Sequence, residues 1–204
     1  MLEQIFAVVS SYLLGSVSFS ILIAKWVKGI DIRQHGSGNA GATNTLRVLG
    51  KGPAAGVFLL DVAKGVAAVW IGQWLGNGNV WMTVLCGMAA VTGHNWPIWF
   101  RFKGGKGIAT TIGVMATLAF LPALFAGIAA IAVIALTRYV SLGSLVFAAL
   151  MPVFVALFGL REELLWTSLL VGLYAFVRHR TNIVKLAQGK ENKLGGKKGV
   201  PHGE

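Results

Sequence analysis

Residues 35–44 read HGSGNAGATN, and Gly36, Gly38 and Gly41 spell G-x-G-x-x-G. Asp61 follows at about the distance where a dinucleotide-binding fold places an acid for the ribose. Such a fingerprint needs a hydrophobic strand before it and a helix opening from it, in a βαβ unit. Here the preceding segment is a long apolar run, and Asp61 lies inside another, FLLDVAKG. A partner for Asp61 is at hand in Lys64, three residues on and on the same helix face. The dinucleotide reading is therefore set aside. Two readings of the loop stay open. Its small residues allow backbone N–H groups to approach an anion closely, with Ser37, Thr43 and Asn44 as neutral donors and Arg47 as a fork suited to phosphate oxygens. Alternatively it is a flexible polar loop ended by a helix cap.

Two further clusters carry the same ingredients. In RFKGGKGIATTIG, Gly104, Gly105 and Gly107 surround Lys106 where an apolar helix opens. No Ser or Thr follows the Gly-Lys pair, so this is not a Walker A loop. It keeps free N–H groups at a helix N-terminus and a nearby ammonium. A positive anchor at the membrane surface would explain Lys106 but not three packed glycines. In RHRTNIVKLAQGKENKLGGKK, Arg178, His179, Arg180 and Asn182 follow the last apolar run together. Basic residues there suit lipid phosphates, but His179 and Asn182 are not needed for that and favour a site. His94, in GHNWPIWF beside Trp96 and Trp99, reads as an interface or packing histidine. The four histidines lack metal-ligand spacing, and no G-x-S-x-G nucleophile elbow is present.

The elements that must position these clusters follow from composition. The chain of 204 residues is 55% hydrophobic and 12% charged, with mean hydropathy +0.71; soluble domains carry about 25% charged residues. Apolar runs cover about Ile5–Val27, Pro53–Leu75, Val80–Gly93, Ile108–Tyr139, Leu142–Gly159 and Leu164–Val177. The first is too long, and too poor in early basic residues, for a plain signal peptide. With Cys86 alone, no intrachain disulfide framework forms. The net charge of +11 comes from 18 Lys and Arg against 7 Asp and Glu. The cations are split among short segments, which disfavours nucleic acid and suits membrane loops or anionic ligands.

Charge placement decides how the run Ile108–Tyr139 is divided. Basic segments hold Lys28, Arg33, Arg47 and Lys51; then Arg101, Lys103 and Lys106; then Arg138; then Arg178, Arg180, Lys185, Lys190, Lys193, Lys197 and Lys198. Between them lie uncharged GNGN and net-acidic REE. If the run turns near Pro122 and crosses twice, every basic segment falls on one side, which the positive-inside rule makes cytoplasmic. The expectation is all-α: a polytopic membrane protein of about seven transmembrane helices, N-terminus out and C-terminus in. Some crossings would be short enough to thin the bilayer. All three clusters then share the cytoplasmic face, where they would grip one anionic ligand or two.

Taken in order, GSGNAGATNTLRVLG, GHNWPIWFRFKGGKGIATTIG and RHRTNIVKLAQGKENKLGGKK resemble the three cytosolic motifs of the PlsY family, bacterial integral-membrane acyl phosphate:glycerol-3-phosphate acyltransferases. The resemblance covers nearly the whole chain. One departure is Ala40, where many relatives are expected to carry proline; it bears on loop stiffness rather than chemistry. Residues 1–198 are expected to form one acyltransferase domain, and 199–204, GVPHGE, a variable tail or expression remnant. The resemblance implies seven membrane helices in the bacterial inner membrane and a site facing the cytosol. The implied reaction transfers a fatty acyl group from acyl phosphate to the 1-hydroxyl of glycerol 3-phosphate, without cofactor or metal. The thioester-dependent acyltransferases carry a His-x4-Asp pair; His35, His94 and His179 have no Asp at that spacing.

On this reading Ser37, Thr43, Arg47, Gly104, Gly105 and Lys106 hold acyl phosphate, within a loop that includes Gly36, Gly38, Asn39 and Asn44. Ser144 adds a donor. His179 and Asn182, with Lys193, position glycerol 3-phosphate, and Glu191 braces the tail against nearby Lys or Arg. The proton of the attacking hydroxyl goes to His179 or, by preference, to a phosphate oxygen of the donor, because crowded cations depress a histidine's basicity. Ser37 as a covalent nucleophile lacks an adjacent base in the sequence. The expected partners are the two small substrates and membrane lipids, for a monomer. The rival class is a carrier of phosphate-containing anions, which would show internal repeats and a site at mid-depth; no repeat is visible.

Overall fold

Apolar stretches surrounded by lipid must satisfy their own backbone hydrogen bonds, and helices do so within one segment. The computed structural model describes residues 1–195, and these are helical without a strand. The helices are α1 (Leu2–Gly15), α2 (Phe19–Lys28), α3 (Ala42–Leu49), α4 (Lys51–Leu75), α5 (Val80–Asn95), α6 (Ile108–Leu118), α7 (Phe120–Thr137), α8 (Val140–Leu157), α9 (Glu162–Arg178) and α10 (Arg180–Ala187). Short 3₁₀ turns occupy Ile32–Gln34 and Ile98–Phe100. Lys197, Lys198 and the tail 199–204 lie outside the described residues.

Among the described residues, four segments are long and apolar enough to cross a membrane: Leu2–Lys28, Lys51–Leu75, Phe120–Thr137 and Val140–Leu157. Helices α5, α6 and α9 have 16, 11 and 17 residues. At ~1.5 Å per residue these fall short of a hydrocarbon core roughly 30 Å thick. Helix α4 packs on α1, α5 and α6, while α8 packs on α7 and α9. One core of Val69, Val91, Val114, Met115, Phe147 and Met151 joins α4, α5, α6 and α8.

Two breaks shape the bundle. The run Ile108–Tyr139 is two helices, as charge placement predicts, but the break is at Ala119 (φ −147°, ψ 71°). Pro122 instead sits in the first turn of α7, where its missing N–H leaves no helical bond unmade. The first apolar run, expected as one helix, is interrupted at residues 16–18. The carbonyls freed there are taken by Lys64, whose Nζ donates to Gly15 O at 3.0 Å and Val17 O at 2.9 Å. Lys64 also pairs with Asp61 at 2.9 Å, both 2% exposed, so the Asp–Lys pairing expected from spacing is present.

Direct bonds gather the basic segments at one end. Arg33 donates to Phe100 O at 2.9 Å, Arg47 to Asn192 O at 3.4 Å, and Arg138 Nε to Leu194 O at 2.9 Å. At the other end, Gln73, Thr83, Thr117 and Arg161 line a cavity of ≈ 320 Å³ where α4, α5, α6 and α9 meet. Helices α6 and α7 therefore run out from the loop end and back to it.

Candidate active site

The first loop owes its shape to Asn44 in α3. This side chain is 1% exposed. Its amide donates to Ile32 O and His35 O, and its oxygen accepts the Ser37 N–H at 2.8 Å. Gly36 holds φ +64°, and a Cβ there would run into Asn44, so glycine is required. Asp31 accepts the Arg33 backbone N–H and a two-pronged guanidinium pair, which lowers its pKa. Ser37 and Gly38 are left exposed, with Asn39, Thr43 and Arg47 half-buried beside them. The polar loop and the helix start thus coexist: Asn44 builds the loop, and its donors are already engaged.

The second loop returns from the 3₁₀ turn to the start of α6. Gly105 donates its N–H to His94 O at 3.1 Å. A Cβ on Gly105 would strike the His94 ring and the Ala40 carbonyl, so the first and second loops touch through a bare backbone. Arg178, at the end of α9, donates to Gly104 O at 3.2 Å and Gly105 O at 2.6 Å, and lies 5.4 Å over the Trp96 ring. Sequence reasoning placed Arg178 in the third cluster without giving it this task. A long guanidinium at a helix end beside bare glycine carbonyls is the signal.

The third cluster turns on His179, where α9 gives way to α10. His179 is 3% exposed. Its Nδ1–H donates to Ala175 O at 2.8 Å, which leaves the lone pair on Nε2. Burial, reinforced by the Lys106 charge, lowers its pKa to about 4, so the ring is neutral and weakly basic. The kink carries Asn182 to Lys106: the ammonium donates to Asn182 Oδ1, and Asn182 Nδ2 donates to Glu191 Oε1 at 2.9 Å. Glu191 was expected to meet a Lys or Arg. It meets the Asn182 amide instead, and its Oε2 is buried without a partner among the described residues. Lys106 is pushed down to about 8, first by burial, then by Arg47, Arg178 and Lys185, with Glu191 opposing.

Lys106, Asn182 and Glu191 form one chain of hydrogen bonds; Arg178 holds Gly104 and Gly105, which precede Lys106 in the chain, and Arg47 donates to the carbonyl of Asn192, the residue after Glu191. Two expected residues stand aside. Ser144 is buried in α8 and donates to Val140 O at 2.9 Å. Lys193 lies 5.5 Å over the Tyr139 ring rather than at Asn182. No cluster of His, Cys, Asp or Glu fit for a metal ion occurs among the described residues. What the arrangement can do is bring anions together: lysine, arginines and bare glycine backbone surround small polar donors.

Fold and site define a helical membrane protein with cations and bare glycine backbone gathered at one end. The family model for glycerol-3-phosphate acyltransferase matches residues 5–189. The glycerol-3-phosphate acyltransferase of Halalkalibacterium halodurans is 56% identical over 196 residues, covering 94% of this chain and 95% of the relative. That of Shouchella clausii is 57% identical over 195 residues, covering 93% and 95%. The crystal structure of PlsY, an integral membrane glycerol 3-phosphate acyltransferase, in its glycerol 3-phosphate form matches with TM-score 0.89 and 39% identity, over 94% of this chain and 96% of that one. Its lysophosphatidic acid form gives 0.87 and 38%, over 94% and 95%. The chain belongs to the glycerol-3-phosphate acyltransferase family, and it is an integral membrane acyltransferase of the PlsY kind.

Proposed function

We propose that the protein transfers a fatty acyl group from acyl phosphate to the 1-hydroxyl of glycerol 3-phosphate, giving lysophosphatidic acid and inorganic phosphate. This is the first acylation of bacterial phospholipid synthesis. The observation that carries the reading is the bond from Lys106 to Asn182, which joins the glycine loop to the third cluster. A similar protein solved in glycerol 3-phosphate and lysophosphatidic acid forms supports the acceptor and the product. The chain crosses the bacterial inner membrane seven times as a monomer, N-terminus out and C-terminus in, with the site facing the cytosol. The positive-inside rule and the gathering of basic segments support this sidedness.

Acyl phosphate is a mixed anhydride, so its carbonyl is already activated. Two phosphates repel, and the task is to bring them together and to stabilise developing charge. Ser37, Thr43, Arg47, Gly104, Gly105 and Lys106 hold the donor, on a loop formed by Gly36, Gly38, Asn39 and Asn44. Ser144 donates its hydroxyl hydrogen bond to Val140 O and so adds no donor for the phosphate. His179, Asn182 and Glu191 hold glycerol 3-phosphate, with Glu191 Oε2, which has no partner among the described residues, accepting a glycerol hydroxyl; Lys193, drawn to the Tyr139 ring, is not used. The hydroxyl oxygen attacks the carbonyl carbon, the bond from that carbon to the bridging oxygen breaks, and the bridging oxygen departs with the electron pair as part of inorganic phosphate. The proton moves to a phosphate oxygen. His179, weakly basic in this setting, accepts a hydrogen bond instead of the proton. The acyl chain leaves sideways between apolar helices.

Donor choice tests this. Purified protein supplied with glycerol 3-phosphate and either acyl phosphate or an acyl thioester should form lysophosphatidic acid from acyl phosphate alone. Equal turnover from the thioester would overturn the assignment.

A further inference from the structure

One charged cluster is left unused by this chemistry. Asp61 and Lys64 lie in α4 at 2% exposure, and His94 lies in α5 at 6%. Lys64 is tied to the Gly15 and Val17 carbonyls at the break between α1 and α2. It neutralises Asp61 at 2.9 Å, and Asp61 Oδ1 stands 3.5 Å from His94 Nδ1. The opposite ring nitrogen, Nε2, lies where a Cβ on Gly105 would fall. The His94 main chain holds the same glycine, accepting the Gly105 N–H at 3.1 Å. Ionisable groups kept dry among membrane helices are costly and point to a task. Stitching the helix break occupies Lys64, but it does not require a histidine set between Asp61 and the glycine loop.

We propose that Asp61 and His94 are positioning residues that brace the underside of the glycine loop and fix Gly104, Gly105 and Lys106 in their donor-binding arrangement. Asp61 Oδ1 faces His94 Nδ1 at 3.5 Å, within charge–dipole range though without a formed hydrogen bond, the imidazole sets the floor beneath Gly105, and Arg178 clamps the Gly104 and Gly105 carbonyls from the side. The brace acts on the loop assigned to acyl phosphate, not on Asn182 and Glu191, and in this it rests on the proposed function. A shift of about 1 Å in a substrate-positioning group costs on the order of a hundredfold in rate.

The test is His94→Leu, which leaves the Asp61–Lys64 pair and the residue-94 carbonyl in place. Expected is a fall of at least about tenfold in kcat/KM for acyl phosphate, with directly measured glycerol 3-phosphate affinity within about threefold of the parent. Asp61→Asn decides if His94→Leu does not fold, because its amide oxygen still accepts from Lys64 while the Gly15 and Val17 carbonyls keep theirs. It should give a smaller loss of the same donor-restricted kind, because an amide holds the imidazole less firmly than a carboxylate. Donor kinetics like the parent's, or equal losses for both substrates, would overturn the brace. Hydrogen exchange reads it without any substrate: amides of residues 104–106 should exchange about tenfold faster in the variant that folds, while α5 and α6 keep their protection. Unchanged exchange there overturns the brace even if the parent proves not to use acyl phosphate. Absence of transfer by the parent would count against the donor assignment alone.

Discussion

Lys106 is the residue on which the site's charge balance turns. Its ammonium donates to Asn182 while burial and the cations Arg47, Arg178 and Lys185 hold its pKa at about 8. Below that value the proton is present and the site attracts a phosphate; above it the proton leaves and one positive charge is lost. Bound phosphate favours the protonated form, so the loss falls on binding rather than on the bound complex. KM for acyl phosphate should therefore be flat near neutral pH and rise by up to about tenfold per unit above pH ~8, while kcat at saturation changes little. A KM flat to pH ~9.5 would show that Lys106 does not supply that charge. The lysine, the histidine and the glycines were legible as residue types at a helix start. The engagement of Asn44 with three backbone groups, and of Ser144 with Val140, was not, because a polar side chain reads alike whether its donors are free or taken.

The glycine loop is aimed by the helix it opens. Helix α6 lies against α4 through small residues: a Cβ on Gly65 would meet the Thr110 carbonyl, and one on Gly113 the Val62 carbonyl. Close backbone approach of this kind drives association of membrane helices. Gly113→Val should therefore push α6 from α4 and destabilise the protein by about 1–3 kcal/mol, with activity falling as the loop moves. Equilibrium unfolding in mixed micelles measures it; unchanged stability would mean that the two helices do not depend on that contact. Most helices were legible from apolar length, and the division of the run Ile108–Tyr139 from Arg138. The break at residues 16–18 was hidden because what stabilises it, Lys64, lies 47 residues from Val17. Helices α3 and α10 were hidden because each has only 8 residues and no apolar run. The link from Asp61 to His94 joins separate helices, and no local spacing encodes it.

Across the whole molecule, the net charge is +11, and Arg33, Arg47, Lys106, Arg138 and Arg178 lie at the loop end. Bonds from Arg33 to Phe100, Arg47 to Asn192 and Arg138 to Leu194 gather segments far apart in sequence at that end, where their charges sum to a positive field. This convergence was legible before any coordinates, because cations in an apolar chain are confined to its loops. The number of crossings was less so, since α5, α6 and α9 are shorter than a bilayer is thick. On the proposed function, these loops hold two phosphorylated molecules at once and exchange an acyl group between them. Purified protein in lipid nanodiscs should release inorganic phosphate only when acyl phosphate and glycerol 3-phosphate are both present, in equal amount to the lysophosphatidic acid formed. Phosphate crossing the membrane of proteoliposomes with no acyl transfer would contradict it and make the protein a carrier.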